Sequence, residues 1–358
     1  MYLIRLAIKN LTRHKKRTLL TAGIIAFAVF FYIFLDSLML GMRSKSLENI
    51  IDFESGHLQI ANESYWKKRD EFPLNNLIKE DENIKEKIRE IEGIKGISPQ
   101  LKFIARLNNG TDEIPIPVRG IRPKKEKKVF ETGDYFLEGN YFKTDEKKAV
   151  MGKELADLMD LQNGDYFTLL FKNKNETFNT IELQISGLLH TPNPNINSNR
   201  IFVPLSTAQK ALNVNNKISQ YAVRLENEEV SEEVNILNKK LKGEIKAFPW
   251  QDSASSMINL SRAQEVESQI ILGIILIIAV LGIINTIILA GIERIEEIGM
   301  MKALGMKERE IILTFVYEST GIGVIGAVIG SLFGFIGVGV FHKYGIDFLS
   351  LMGGDYDF

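Results

Sequence analysis

There is no cysteine among the 358 residues, so the chain has no disulfide staples and no thiolate chemistry. Its four histidines, His14, His57, His190 and His342, are scattered, and no H-E-x-x-H pair is present to seat a catalytic zinc. A G-x-S-x-G nucleophile elbow is missing, as is a G-x-x-x-x-G-K-[ST] loop for ATP phosphates. Charge of one sign is missing too. The formal net charge is -1 and the pI near 6.5, whereas a nucleic-acid binder normally carries a basic face. Together these absences predict a non-enzyme with no catalytic residues, no metal, no cofactor and no nucleic-acid partner.

What is present is an uneven distribution of apolar sequence. Apolar stretches fall at residues 19–42, 270–292 and 311–341, each at or above the roughly 20 residues that cross a bilayer core as a helix. Between the first and second lies a polar segment of about 225 residues. Arg5, Lys9, Arg13, Lys15, Lys16 and Arg17 precede the first stretch, and only Arg43 and Lys45 follow it closely. Basic flanks stay in the cytoplasm, which predicts a multi-pass protein of the cell membrane with its large domain outside. The loop 293–310, with Arg294, Lys302, Lys307 and Arg309, then returns to the cytoplasm. The first stretch reads as an anchor and not as a cleaved signal: it exceeds the usual h-region, and no small-residue cleavage pattern follows at 36–46. Asp36 lies near its outer end, within reach of the wetted interface.

The predicted layout is a cytoplasmic amphipathic helix over 1–17, spans at 18–42, 269–292 and 311–341, and an outer domain over 43–268. A cytoplasmic loop at 293–310 and an outer tail at 342–358 complete it. In the first segment, Leu3, Ile4, Ala7, Ile8 and Leu11 form an apolar stripe opposite Arg5, Lys9, Arg13 and Lys16, a pattern that lies in the lipid headgroup layer. The outer domain reads as mixed α/β. Alternating or β-branched runs at 57–60, 102–107, 166–171, 181–188, 200–203 and 220–225 predict strands. The run 114–121 also alternates, but Pro115 and Pro117 restrict it to an edge strand. Helical spacing occurs at 82–91, 153–159 and 230–241. Two α/β pieces thus flank a strand-rich middle, which predicts two subdomains, one inserted in the other at about 117–206. Residues 253–268 contain no Gly or Pro and read as a helical stalk leading into the second span. Asn193, Asn195, Asn197 and Asn199, with Pro192 and Pro194, read as an exposed loop.

Three features inside the apolar C-terminal region point to function. Glu293, Glu296 and Glu297 fall on one helical face and Ile295 and Ile298 on the other, with Gly299 and Gly305 bracketing a turn. Glu318 is a charge within an apolar span, either a functional group or a side chain that snorkels to the cytoplasmic interface about two turns away, and Arg294 or Lys302 would pair it in either case. The stretch 321–326 spells G-x-G-x-x-G, but it lacks the strand–turn–helix context of a dinucleotide site. Gly326, Gly330 and Gly334 recur at every fourth position, the pattern of close packing against another span.

The run Glu293-Arg-Ile-Glu-Glu-Ile-Gly299-Met-Met-Lys-Ala-Leu-Gly305, followed by Glu318, resembles the cytoplasmic loop of FtsX-like permeases of the MacB and LolC/LolE type, membrane subunits of a class of ABC transporters. The runs Ala7-Ile-Lys-Asn-Leu-Thr-Arg13 and Lys16-Arg-Thr-Leu-Leu20 form a second match, with weaker ones at Gly152-Lys-Glu-Leu-Ala156, Gly164-Asp165 and Val203-Pro-Leu205. The resemblance implies that a cytoplasmic ATPase subunit docks on the loop, through Glu293, Arg294, Glu296, Glu297, Gly299, Lys302 and Gly305. It also implies pairing with a second permease, as homodimer or heterodimer, and a MacB-like periplasmic core domain that handles cargo, a lipoprotein among the candidates, outside the membrane. A second branch of the family controls a cell-wall hydrolase and transports nothing; the large two-part outer domain favours transport. The family pattern has four spans, and no fourth stretch follows residue 341. The expectation is therefore that the glycine face of the third span lacks its packing partner.

Overall fold

The computed structural model describes residues 15–227, 229–241 and 243–344. They form two compact units, Lys45–Asn259 and the residues that flank it. Most of the expected N-terminal amphipathic helix, residues 1–14, and most of the expected outer tail, residues 345–358, lie outside the described residues.

Among the described residues the central unit has twelve strands: β1 (Leu58–Asn62), β2 (Ile78–Lys79), β3 (Ile94–Asn108), β4 (Glu113–Ile121), β5 (Phe136–Gly139), β6 (Lys148–Gly152), β7 (Tyr166–Lys172), β8 (Phe178–Leu189), β9 (Ile201–Pro204), β10 (Lys217–Ile218), β11 (Gln220–Leu225) and β12 (Ile245–Pro249). The six alternating runs expected as strands lie in β1, β3, β7, β8, β9 and β11. Six of the strands pair in a closed ring, β3–β4–β9–β6–β8–β7 and back to β3. Closure removes free edges and points alternate side chains inward. Leu101, Phe103, Ala105 and Leu107 of β3, Ile116 and Val118 of β4, Phe167, Leu169 and Phe171 of β7, and Leu183 and Ile185 of β8 are accordingly buried in one apolar cluster.

β4 corrects the edge-strand expectation. It lies between β3, antiparallel, and β9, parallel. Pro115 and Pro117 have the same parity, so the N–H that each lacks falls on one side of the strand. The ladder to β3 runs through both residues, which assigns that side to the other flank, and β9 joins only from Val118 onward. The rule that proline avoids a central ladder therefore holds for residues 113–117 and not for the strand as a whole.

β3 is 15 residues long and belongs to two layers. Its first half pairs with β11, and β11 continues through β1 to β12. Its second half enters the ring. The chain therefore enters the ring within β3, near residues 100–101, and β4 continues through residue 117 without a break. The helices Glu82–Arg89 and Ser231–Lys240 belong to the layer made from the two ends of the segment. The first is capped by Asp81, whose carboxylate accepts from Asn83 N–H at 3.0 Å, and it buries Ile84 and Ile88 at helical spacing. At the end of β6, Gly152 lets the carbonyl of Asn197 approach so closely that a Cβ there would sit 2.0 Å from it.

The flanking unit is helical. Its segments belong to long helices spanning Lys15–Ile50, Ser255–Glu293 and Glu308–Tyr344. Among the described residues, two helical stretches are long and apolar enough to cross a membrane, Thr18–Ser55 and Glu308–Lys343. The expected stalk is helical from Ser255; Ala254 separates it from the short helix Trp250–Ser253. A Cβ added at Gly330 would lie 2.4 Å from the carbonyl oxygen of Ala26, and one at Gly326 would lie 2.8 Å from that of Ala22. Gly334 faces Ile33. The neighbour of the glycine face is thus the first long helix, which corrects the expectation that its partner is missing.

Candidate coupling site and the residues it gathers

The chain reverses between the second and third long helices through a short helix, Ile295–Ala303. Arg294 marks the break: its φ of -111° and ψ of 21° leave the helical region, so a new helix starts at Ile295. Glu293 consequently ends the preceding helix, and Glu296 and Glu297 lie in the first turn of the short one. Gly299 lies inside the short helix and does not bracket a turn. Gly305 does, with φ +90°. Its N–H donates to Lys302 O at 3.0 Å and that of Met306 to Met301 O at 3.1 Å, the paired bonds that close a helix around a left-handed glycine.

Ion pairs fix this reversal. Arg294 Nη1 donates to Glu318 Oε2 at 3.0 Å, and both residues are buried. Of the two candidate partners for Glu318, the structure selects Arg294. A lone charge in an apolar helix is costly, and here the partner comes from the start of the connector. Lys302 instead reaches Glu308 at 2.7 Å, joining the end of the short helix to the start of the third long helix. The short helix buries none of its residues. It displays Ile295 and Met300, and just beyond it Leu304 is 85% exposed, an apolar surface beside Glu296 and Glu297.

The asparagine stretch is not an exposed loop. Residues Pro194–Asn199 form a helix capped by Asn193, and Thr191, Asn193 and Asn197 are buried. Asn197 Oδ1 accepts from Thr191 N–H at 2.7 Å, and Asn193 and Asn195 donate to Glu54 Oε1 at 3.1 and 3.2 Å. Sequence reading missed this group, together with Lys102, Arg119, Glu126 and Arg200. Lys102 and Arg119 occupy polar positions of strands that alternate, and such positions read as solvent-facing. Only the pairing of distant strands shows that they are enclosed.

An apolar helical unit with a buried ion pair at its reversal, joined to a mixed α/β domain containing a closed barrel, defines a membrane protein with a large extramembranous domain. The MacB-like periplasmic core domain matches residues 18–236 and the FtsX-like permease C-terminal domain matches 269–353. The chain belongs to this family of permeases, and its sheet-bearing domain is extracytoplasmic. It is 24% identical over 265 residues to the lipoprotein-releasing system transmembrane protein LolE of Haemophilus influenzae, covering 71% of this chain and 63% of LolE. To the macrolide export ATP-binding/permease protein MacB of Pasteurella multocida it is 22% identical over 355 residues, covering 95% of this chain and 52% of MacB. The chain thus spans between about half and two thirds of the length of these two relatives. The crystal structure of the periplasmic region of MacB from Actinobacillus actinomycetemcomitans aligns with 60% of this chain and 98% of that one, at 14% identity and a TM-score of 0.41.

Proposed function

We propose that the chain is the permease subunit of an ABC transporter, a multi-pass protein of the cell membrane that pairs with a second permease and with a separate cytoplasmic ATPase. ATP hydrolysis is assigned to that partner, because these 358 residues contain no phosphate loop. The observation that carries the reading is the short helix Ile295–Ala303. It is held at one end by the buried Arg294–Glu318 pair and at the other by the Gly305 reversal, and it displays Ile295, Met300 and Leu304. ATPase closure would push on this helix and move the two helices that flank it. The Ser255–Glu293 helix, continuous through the stalk, would pass that motion to the outer domain, where cargo is released or exported. The family resemblance to LolE makes a lipoprotein one such cargo.

The test is affinity purification of the tagged full chain from membranes, with the ABC ATPase quantified in the eluate. The double variant Glu297→Arg/Met300→Asp should retain at least tenfold less ATPase, about 1.4 kcal/mol of lost affinity. Unchanged recovery with an unchanged melting temperature overturns the docking assignment.

A further inference from the structure

Within the extracytoplasmic domain lies a cavity of about 370 Å³, inside the size range of small-molecule sites. Its charged lining is uneven. Arg69, Lys102, Arg119 and Arg200 face it against Glu54 and Asp70. Arg69 and Asp70 are neighbours whose side chains lie 4.0 Å apart, which leaves three cations and one carboxylate. Strand register enforces the crowding. Lys102 of β3 and Arg119 of β4 are directly paired, a placement in which like charges repel, and Arg200 immediately precedes β9, which pairs with β4.

The acids nearby do not satisfy these cations. Arg119 is 1% exposed. It donates to the carbonyls of Phe53 and Glu54 at 3.3 and 3.5 Å and lies 3.7 Å from Glu126, while its Nε has no hydrogen bond. Its guanidinium carbon lies 5.5 Å from the ring centre of Phe130 and 5.6 Å from that of Phe202, so it cannot swing away freely. Glu126 accepts from Ser98 and Gln100 and does not line the cavity. Arg200 Nε is likewise buried without a hydrogen bond. Among the described residues, no carboxylate lies within ion-pair distance of Lys102 or Arg200. Buried charges are normally paired, and these cations converge on one space.

We propose that this cavity binds one oxyanion group of the phosphate or sulfate type, held by Lys102, Arg119 and Arg200, either free in solution or carried on a lipid headgroup. Guanidinium groups match such oxygens geometrically and by charge. The walls also include Ser46, Asn49 and Ile50 on one side of the chain's passage through the domain and Ser253, Ser256 and Met257 on the other. These are the segments that continue into the first and second long helices, so occupancy braces the domain's entry and exit together. The inference does not depend on where the ATPase docks.

The titration of Lys102 supplies a signature. Burial and the like charges of Arg119 and Arg200 hold its ammonium well below the usual lysine range, against the opposing pull of Glu54 and Glu126. A bound anion favours the ammonium, so affinity is greatest where Lys102 is protonated and falls as pH rises through its titration. Sulfate, which stays fully ionised, makes this readable without titration of the ligand.

The experiment uses the full chain in detergent at constant ionic strength, with chloride as the reference anion. Sulfate and inorganic phosphate are titrated by calorimetry at several pH values, and a second arm compares nanodiscs of phosphatidylglycerol with nanodiscs of phosphatidylcholine by thermal shift. The expected result is a Kd of about 1 mM or tighter for the free anions, or stabilisation by phosphatidylglycerol over phosphatidylcholine. The first outcome identifies a free oxyanion and the second a headgroup. Lys102→Met and Arg200→Gln should each weaken the response at least tenfold, and free-anion binding in the wild type should not strengthen as pH rises. No saturable response to either free anion or to phosphatidylglycerol overturns the proposal, as does an undiminished response in either folded variant.

Discussion

Arg294 and Glu318 are 24 residues apart, and each makes the other tolerable in a buried place. Removing one partner of such a pair leaves an uncompensated charge and costs about 3–5 kcal/mol, whereas replacing both by apolar groups is often close to neutral. Thermal unfolding in detergent should therefore show Glu318→Leu strongly destabilised and the double variant Arg294→Met/Glu318→Leu largely restored; additive losses would mean that the pair is not coupled. His57 offers a pH test at the same scale. It is 3% exposed, and its Nδ1 accepts from the Leu225 N–H at 3.4 Å, so it is held neutral. Burial, assisted by Arg224 and Lys95 against Asp52, pushes its pKa down to about 4 from the ordinary 6.5. The unfolded chain then binds more protons between these values, so stability is fully present above about pH 6.5 and is lost as pH falls toward about 4. Denaturant titrations at about pH 7 and about pH 5 should show a smaller drop for His57→Gln than for the wild type. The possibility of an ion pair between Glu318 and Arg294 could be read from the residues. The burial of Asn193 and Asn197 could not, because an asparagine-proline run has the same composition as a loop whether or not the Glu54 carboxylate, in the helical turn Ile51–Ser55, and a threonine wait to bind it.

At the scale of elements, periodicity carried most of the reading. β3, β7 and β8 show as alternating runs because one face of each meets the core, and β1, β9 and β11 as apolar or β-branched runs because both of their faces are buried. β4 was misplaced because a proline rule stated for whole strands acts residue by residue. The glycine face was visible at every fourth position, but the helix it meets was not, since small residues specify close approach without specifying a neighbour. Its consequence is measurable. Gly330→Ala places a methyl against the Ala26 carbonyl, and overpacking of this kind costs about 1–3 kcal/mol. Gly323, on the same helix, has nothing within 4 Å of an added Cβ, so Gly323→Ala should be neutral or gain up to about 1 kcal/mol from helix propensity. Equal melting shifts for the two variants in detergent would contradict the packing account.

For the whole molecule, the absence of cysteine becomes an experimental advantage. Single cysteines at the exposed positions Lys174 and Lys307 can be labelled with a membrane-impermeant maleimide in spheroplasts. Lys174→Cys should react in intact spheroplasts and Lys307→Cys only after permeabilisation; the reverse pattern would invert the proposed topology. Alternation of apolar and polar stretches along the chain was enough to reveal spans and a large extramembranous domain, because bilayer thickness and core burial impose lengths and periods that a linear sequence displays directly. Ring closure of the barrel, the two-layer role of β3 and the meeting of Lys102, Arg119 and Arg200 arise only when strands far apart in sequence pair in a particular register. Register is set by packing across the entire domain, and no local run of residues records it.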